Sequence, residues 1–254
     1  MGQNHSHILK KCPSRPFFRR RLEGKPPYHT QDDKNKLQFI LFPLSTISLA
    51  FLPLEDYNKI VHKGGYLVKA WRHFCTITYH RWLVCRGCFR VGLYWQGLTH
   101  DLSKYSPTEF LVGARLYQGN RSPNAAEREE KGYSEAWMHH KGRNRHHYEY
   151  WSDLNRHTRR YEPVEMPRKY LAEMVMDRIA ACHVYQKDAY RDDSPLNYFL
   201  KSMESNLMHP ATHRQLGYIL TMLRDEGEKA TFHYIKHSVL KGKPFPWDET
   251  SQED

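Results

Sequence analysis

Residues 67–96, LVKAWRHFCTITYHRWLVCRGCFRVGLYWQ, decide the fold class because they read as one long helix, or as two helices with a bend near Gly87. His80, Val84, Gly87 and Val91 recur at the 4-3-4 spacing of one helical face. Gly97 is expected to end this helix, since glycine commonly follows the last helical turn. The stretch therefore predicts a helical scaffold.

The segments on either side favour the same class. Ser106, Pro107 and Glu109 predict a helix start with a capping box, and a polar loop is expected over 118–132. A second loop is expected over 156–167, and no alternating strand pattern of useful length occurs. Further helices are predicted over 134–140, 167–187, 195–206, 210–225 and 228–237. The sequence predicts an all-α fold.

The chain divides into three parts by composition. The formal net charge is +11, and residues 1–36 hold nine Lys and Arg against three acidic residues, a net of +6. Residues 1–60 are therefore expected to be a disordered or loosely structured basic extension. An apolar run over 39–54 leaves open a signal anchor, or a start without its own fold. The helical domain is predicted over 65–240, followed by a flexible tail over 241–254.

The cysteines argue against a disulfide-stabilised secreted protein. There are five, an odd number without framework spacing, which fits a reducing cytosol. Cys85 and Cys88 have the C-x-x-C spacing, but no second pair completes a zinc tetrad. Two helical cysteines, one or both buried, and a cytoplasmic location are therefore expected. A membrane association is not expected, because the apolar run over 39–54 is short for a span and contains Pro43.

Histidines and aspartates carry the chemical signal. Neutral imidazoles and carboxylates together suit Fe, Mn, Zn or Ni. Asp101 is the natural bridge between two ions, and two ions held about 3.5–4 Å apart can activate a water and neutralise a phosphate oxygen. Lys104 follows one turn after Asp101, where its ammonium can meet a phosphate. The candidate metal ligands are His80, His100, Asp101, His140, His146, His147 and Asp177.

The order of these residues resembles a known pattern. His80, then His100-Asp101, then Asp177 is similar to the H…HD…D motif of the HD-domain superfamily of metal-dependent phosphohydrolases. The histidines of the 139–147 segment and the phrase HDLSK (100–104) resemble the subset with two metals. The resemblance implies an HD-like helical bundle with primary ligands His80, His100, Asp101 and Asp177. It also implies a second ion on His140 and on His146 or His147.

A closer resemblance covers about residues 69–237, which are similar to a family of uncharacterised bacterial and phage proteins. The phrases that carry it are GLYWQGLTHDLSKYSPTEF (92–110), YQGNRSPNAAERE (117–129), AWMHHKGRNRHHYEYW (136–151) and MPRKYLAEMVMDRIAA (166–181). One departure from the two-metal subset is the aromatic stretch 148–151, which stands where a glycine-bearing loop is usual. Core or lid packing is the simpler interpretation of these aromatics, and a stacking pocket is the alternative.

The sequence therefore predicts a metal-dependent hydrolase of a phosphoester, such as a nucleotide, with one or two ions. Asp101 and Lys104 are the expected catalytic residues, and Lys104, Lys141, Arg143 and Arg145 are expected to bind a small phosphorylated substrate. The alternative is a non-catalytic, metal-stabilised module that contacts nucleic acid, through its basic extension, or a protein partner.

Overall fold

The computed structural model describes residues 54–201 and 207–249, and the side chains of 65–201 and 207–248. Most of these residues are helical, and the strands among them form one short hairpin, so the all-α prediction is confirmed. The α-helices are α1 (Leu54–Val91), α2 (Tyr94–Thr99), α3 (Pro107–Leu116), α4 (Pro123–Lys131), α5 (Glu135–Lys141), α6 (Arg168–Gln186), α7 (Ser194–Lys201), α8 (Pro210–Tyr234) and α9 (Pro246–Glu249). Short 3₁₀ turns cover Leu102–Tyr105, Tyr148–Tyr150 and Lys187–Ala189, and a π-helical turn covers Ile235–Val239.

Helix α6 is the centre of the bundle. It packs along α1 on one side and contacts α7 and α8 on the other. Its apolar side chains, such as Leu171, Val175 and Ile179, are buried together with Val84 of α1 and Leu220 of α8. Burial from several directions makes α6 a rigid support for any polar side chain that it projects toward α1.

Glycines shape the first helix differently from the prediction. The chain leaves α1 at Gly92, whose φ of 89° suits glycine, and not at a bend near Gly87. Gly87 lies inside α1, where an added Cβ would stand 2.8 Å from Met176 Sδ of α6. Gly97 lies within α2 against Cys88 and does not end a helix. Two of these glycines therefore allow close packing, and only Gly92 breaks the helix.

The segment after the turn at 100–101 contains one more helix than expected. Pro107 begins α3 after Ser106, as predicted, but the Ser106 side chain makes no capping hydrogen bond. Part of the expected loop over 118–132 is helix α4, because the Ser122 side chain accepts from Asn124 N and Pro123 stands in the first turn. Ser134 caps α5 by accepting from Trp137 N. These caps orient the histidine segment that follows.

A hairpin and a packed C-terminal segment complete the described fold. The strands β1 (Ser152–Leu154) and β2 (Tyr161–Pro163) pair antiparallel in a region predicted in part as loop. Gly227 interrupts α8 with non-helical angles, close to the predicted break between the last two helices. Phe245 is fully buried, so the beginning of the segment predicted as a flexible tail packs on the bundle.

The N-terminal predictions lie mostly outside the described residues. Residues 1–53, which include most of the basic extension and of the apolar run over 39–54, are not described. Within the described part, no helix combines the length and apolar character that crossing a bilayer requires. The domain boundaries and the cytoplasmic location remain predictions.

Candidate metal centre

The turn between α2 and the following 3₁₀ turn presents His100 and Asp101. Asp101 has a φ of 52°, a left-handed conformation that few non-glycine residues adopt. Arg81 of α1 holds this turn by donating from Nε to the His100 carbonyl at 2.7 Å and from Nη2 to the Leu98 carbonyl at 3.1 Å. The Asp101 carboxylate is fully buried as a result, and its backbone strain is of the kind found at functional sites.

One group of ligand atoms faces the first oxygen of Asp101. His140 Nε2, at the end of α5, lies 3.3 Å from Asp101 Oδ1, and His146 Nε2 lies at the same distance. His147 joins this group, with one ligand atom from each residue within 4.8 Å of the others. Both members of the 146–147 pair therefore turn toward one point, although the sequence left open which member would.

A second group faces the other oxygen of Asp101. His100 Nε2 lies 3.4 Å and His80 Nε2 lies 3.6 Å from Asp101 Oδ2. Asp177 of α6 completes this group, because its Oδ1 lies 2.9 Å from His80 Nε2 and 3.5 Å from His100 Nε2. The helices α1 and α6, which pack directly, hold His80 and Asp177 together. The six other predicted ligands thus meet around Asp101.

Several of the atoms that face inward are buried without hydrogen bonds. His100 Nε2, His146 Nε2, His147 Nε2 and Asp101 Oδ1 have no hydrogen-bond partner among the described residues. Asp101 Oδ2, in contrast, pairs with Lys104, and His80 Nε2 lies 2.9 Å from Asp177 Oδ1. Buried polar atoms are rarely left without a partner, because each costs roughly 1–3 kcal/mol. Several such atoms converging on one carboxylate are expected where a cation supplies the missing contacts.

The charges of the cluster point to the same conclusion. Asp101, Glu109 and Glu173 are buried, and the Asp177 side chain is only 17% exposed. Lys104, whose Nζ lies 2.5 Å from Asp101 Oδ2, is the one ammonium or guanidinium group among the described residues that pairs with these carboxylates. The excess of buried negative charge is costly unless cations neutralise it. The residues present therefore fit one or two divalent ions.

The protonation equilibria reflect this crowding. Burial raises the pKa of Asp101, but His100, Lys104 and His140 outweigh burial and hold that pKa well below its usual value. Burial, followed by repulsion from His146 and His140, keeps the pKa of His147 well below the usual value for histidine. Asp101 is consequently an anion and His147 a neutral imidazole, which are the states that bind a metal. Burial lowers the pKa of His100 and of His140, but Asp101 outweighs burial and raises both, so an ion would displace protons from these two rings.

Two carboxylates that the sequence analysis did not select support the ligands from behind. Glu173 Oε1 accepts from His100 Nδ1 at 3.0 Å and lies 3.1 Å from His146 Nδ1. Glu109 Oε2 accepts from His140 Nδ1 at 2.8 Å, and its Oε1 accepts from His139 Nδ1 at 2.6 Å. Glu109 had been assigned to a helix cap. Glu173 precedes Asp177 by four residues on α6, and this i,i+4 spacing of carboxylates was a usable signal.

The other predicted site residues lie farther out. Lys104 borders the cluster, with 27% of its side chain exposed. Arg143 and Arg145 are exposed; Arg143 donates to the His139 carbonyl and Arg145 donates to the Tyr170 hydroxyl. Lys141 is half-buried. Within the described residues, no ion pair joins these three to the Asp101 cluster, so their role in substrate binding remains a prediction.

The aromatic stretch 148–151 contributes to packing, which is the simpler of the two interpretations of its sequence. Tyr148 and Trp151 pack against the hydrophobic core. Trp151 Nε1 donates to the Arg145 carbonyl at 2.7 Å, and its ring lies 5.5 Å from that of Tyr170. These contacts fix the loop that carries His146 and His147.

A cavity of about 500 Å³ lies between α1 and the end of α6. Thr76, Tyr79, Tyr117 and Val184 contribute to its lining. Thr76 precedes His80 by four residues on α1, which corresponds to a rise of about 6 Å. None of its lining residues belongs to the two groups of ligand atoms.

Comparison with known proteins places the chain in a family without a stated activity. The profile of a family of unknown function, DUF5662, matches residues 69–222. The match covers more than half of the chain, which therefore belongs to this family. Searches among curated proteins and among solved structures gave no match.

Proposed function

We propose that this member of the DUF5662 family is an HD-type metal-dependent hydrolase of small phosphoesters with a two-ion site. The observation that carries the proposal is the position of the Asp101 carboxylate, whose two buried oxygens face separate groups of ligand atoms. His80, His100 and Asp177 would hold one ion with Asp101, and His140, His146 and His147 would hold the other. The resemblance to the H…HD…D motif supports the same assignment.

Two divalent ions would supply a water of lowered pKa and positive charge for the phosphate oxygens. The protein's own contribution is to hold Asp101 ionised between the two ligand groups and to keep the imidazoles fixed. A rigid arrangement of this kind stabilises developing charge without reorganisation during the reaction.

Lys104 is the best candidate for substrate phosphate binding. Burial lowers its pKa, but Asp101 and Asp177 outweigh burial and raise it, so the side chain stays a cation. Its partial exposure leaves the ammonium at the boundary between the cluster and solvent. No observation in the described residues favours the alternative binding module over this activity.

The proposal is tested with metal-loaded full-length protein on phosphomonoesters, phosphodiesters and nucleotides. Asp101→Asn should lose bound metal and turnover together. Lys104→Met should keep its metal but lower kcat/KM by about 100-fold, since a charge-stabilising group is removed. Lys229→Met, which changes an exposed lysine on α8, is the matched control and should behave as the wild type. Full metal content in Asp101→Asn, or wild-type turnover in Lys104→Met, would contradict these roles.

A further inference from the structure

We propose that Glu173 is a positioning residue that couples the two ion sites, because one of its oxygens supports a histidine from each group. The inference rests on the proposed two-ion site and adds a mechanism by which the sites share one support. Glu173 itself faces the rear of the imidazoles and not the Asp101 oxygens, so it acts through His100 and His146.

The geometry is that of a single acceptor between two rings. Glu173 Oε1 lies 3.0 Å from His100 Nδ1 and 3.1 Å from His146 Nδ1. The two rings are 4.3 Å apart between centroids, and all three residues are buried. The Nε2 atoms of the two rings face different oxygens of Asp101: His100 Nε2 faces Oδ2, and His146 Nε2 faces Oδ1. Glu173 and Asp101 therefore clamp the same pair of histidines from opposite sides.

This clamp fixes the tautomer of both rings. Glu173 Oε1 lies within hydrogen-bond distance of both Nδ1 atoms, and a carboxylate oxygen in this position accepts from each ring. Each Nδ1 must then carry a proton, which leaves each Nε2 lone pair free for an ion. Carboxylates that accept from the rear of a ligating histidine orient it and raise its basicity. Losing this one acceptor should weaken both sites.

Glu109 gives a matched comparison, because it serves one group alone. Among the seven ligands it contacts His140, and its other partner, His139, lies outside the ligand groups. The same chemical change at Glu109 and at Glu173 should therefore affect one binding step and two binding steps, respectively.

An ion held by Glu173 itself is the competing explanation. His100, His146 and Glu173 offer ligand atoms within 4.8 Å of one another. Distances of 3.0 and 3.1 Å are, however, ordinary hydrogen-bond lengths, and an ion at this point would require both Nδ1 atoms to lose their protons. The coupling proposal therefore predicts that the centre binds two ions and not three.

The test measures metal binding and not turnover. Full-length wild type, Glu173→Gln and Glu109→Gln are stripped with EDTA and titrated with Co²⁺, with visible absorbance and equilibrium dialysis as readouts. The wild type should bind two ions. Glu173→Gln should weaken both binding steps by about tenfold or more, and Glu109→Gln should weaken only one.

Each other outcome has a distinct meaning. Two bound ions with one or no step weakened in Glu173→Gln would overturn the coupling and leave the proposed function intact. A third ion that disappears in Glu173→Gln would overturn it in favour of direct ligation. A wild-type protein that binds no ion would overturn the proposed function, and the coupling with it.

A second measurement uses only the wild-type protein, so its result does not depend on whether a variant folds. In the Zn²⁺-loaded wild type, ¹⁵N NMR of the imidazoles should show His100 and His146 both protonated at Nδ1. A proton on Nε2 of either ring would overturn the proposal, because that ring could not then donate to Glu173 and bind an ion through Nε2.

Discussion

At the scale of single residues, the groups that pack against each buried imidazole decide how that histidine behaves. Three ligand histidines have a buried glutamate behind Nδ1 and present Nε2 to Asp101, which suits ion binding. His73 is different, because it lies in α1 against the rings of Phe110 and Tyr117. Burial, with a smaller contribution from Lys104, lowers its pKa from 6.5 to about 4. His73 is therefore a neutral packing residue whose protonation should destabilise the fold.

The predicted consequence is acid sensitivity that His73→Phe removes. The unfolded chain takes up a proton at His73 near pH 6.5, whereas the folded chain does so only near pH 4. The free energy of unfolding should thus fall as pH decreases from 6.5 to 4, by up to about 3 kcal/mol. Urea unfolding at pH 7 and pH 5 measures this change. An equal pH dependence in His73→Phe would show that His73 does not contribute.

At the scale of elements, glycines at a helix end or at a helix–helix contact determine how closely the helices that carry the candidate ligands pack. Gly113 of α3 faces His73 of α1, and a Cβ at that position would lie 2.1 Å from His73 Nε2. This close approach brings α3, and with it Glu109, against the first helix. Gly92 ends α1 so that α2 can fold back and present His100.

Gly113→Ala should destabilise the fold more than Gly87→Ala. A new methyl group at position 113 would overlap the rigid His73 ring at 2.1 Å, whereas at position 87 the nearest atom is Met176 Sδ at 2.8 Å, in an unbranched side chain that can adjust its rotamer. Overpacking of a rigid contact costs about 1–3 kcal/mol. Thermal and urea unfolding of both variants checks the order, and an equal loss would count against the α1–α3 contact.

Gly92→Ala and Gly65→Ala form a second matched pair. An added Cβ would meet no atom within 4 Å at either site, but only Gly92 has a positive φ. Gly92→Ala should lose about 1 kcal/mol from left-handed strain, while Gly65→Ala should gain up to about 1 kcal/mol from helix propensity. Stabilisation by alanine at position 92 would refute the assigned helix end.

At the scale of the whole molecule, ligands from distant sequence positions join separate elements. His80 on α1, Asp101 after α2, His140 on α5 and Asp177 on α6 span almost a hundred residues. Bound ions would cross-link these elements, and binding to the native state alone raises its stability.

Chelation should therefore lower the melting temperature. With free metal at 100 times its Kd, binding adds about 2.7 kcal/mol, which corresponds to about 5–10 °C for a body of this size. Differential scanning calorimetry with metal and with EDTA measures the shift. Asp101→Asn should melt at one temperature under both conditions, and a metal-dependent shift in that variant would argue for binding elsewhere.

The sequence was sufficient for the helical class and for naming side chains that the structure brings together, but not for what surrounds these candidate ligands. His80, His100-Asp101 and Asp177 follow a recognisable order, so their convergence could be anticipated from a motif. The supporting role of Glu109 and Glu173 depends on contacts across the bundle, and the i,i+4 spacing of Glu173 and Asp177 is the one sequence signal that indicates part of it. Gly87 and Gly92 look alike in one dimension, and only their neighbours in space distinguish a close approach from a helix end.

The most direct test of the two-ion account is a crystal structure of the metal-loaded protein with anomalous diffraction at the absorption edge of the bound metal. The account predicts two anomalous peaks about 3.5–4 Å apart, one beside each oxygen of Asp101. One peak would lie against His80, His100 and Asp177, and the other against His140, His146 and His147. A metal-loaded crystal with no peak at Asp101 would contradict the account.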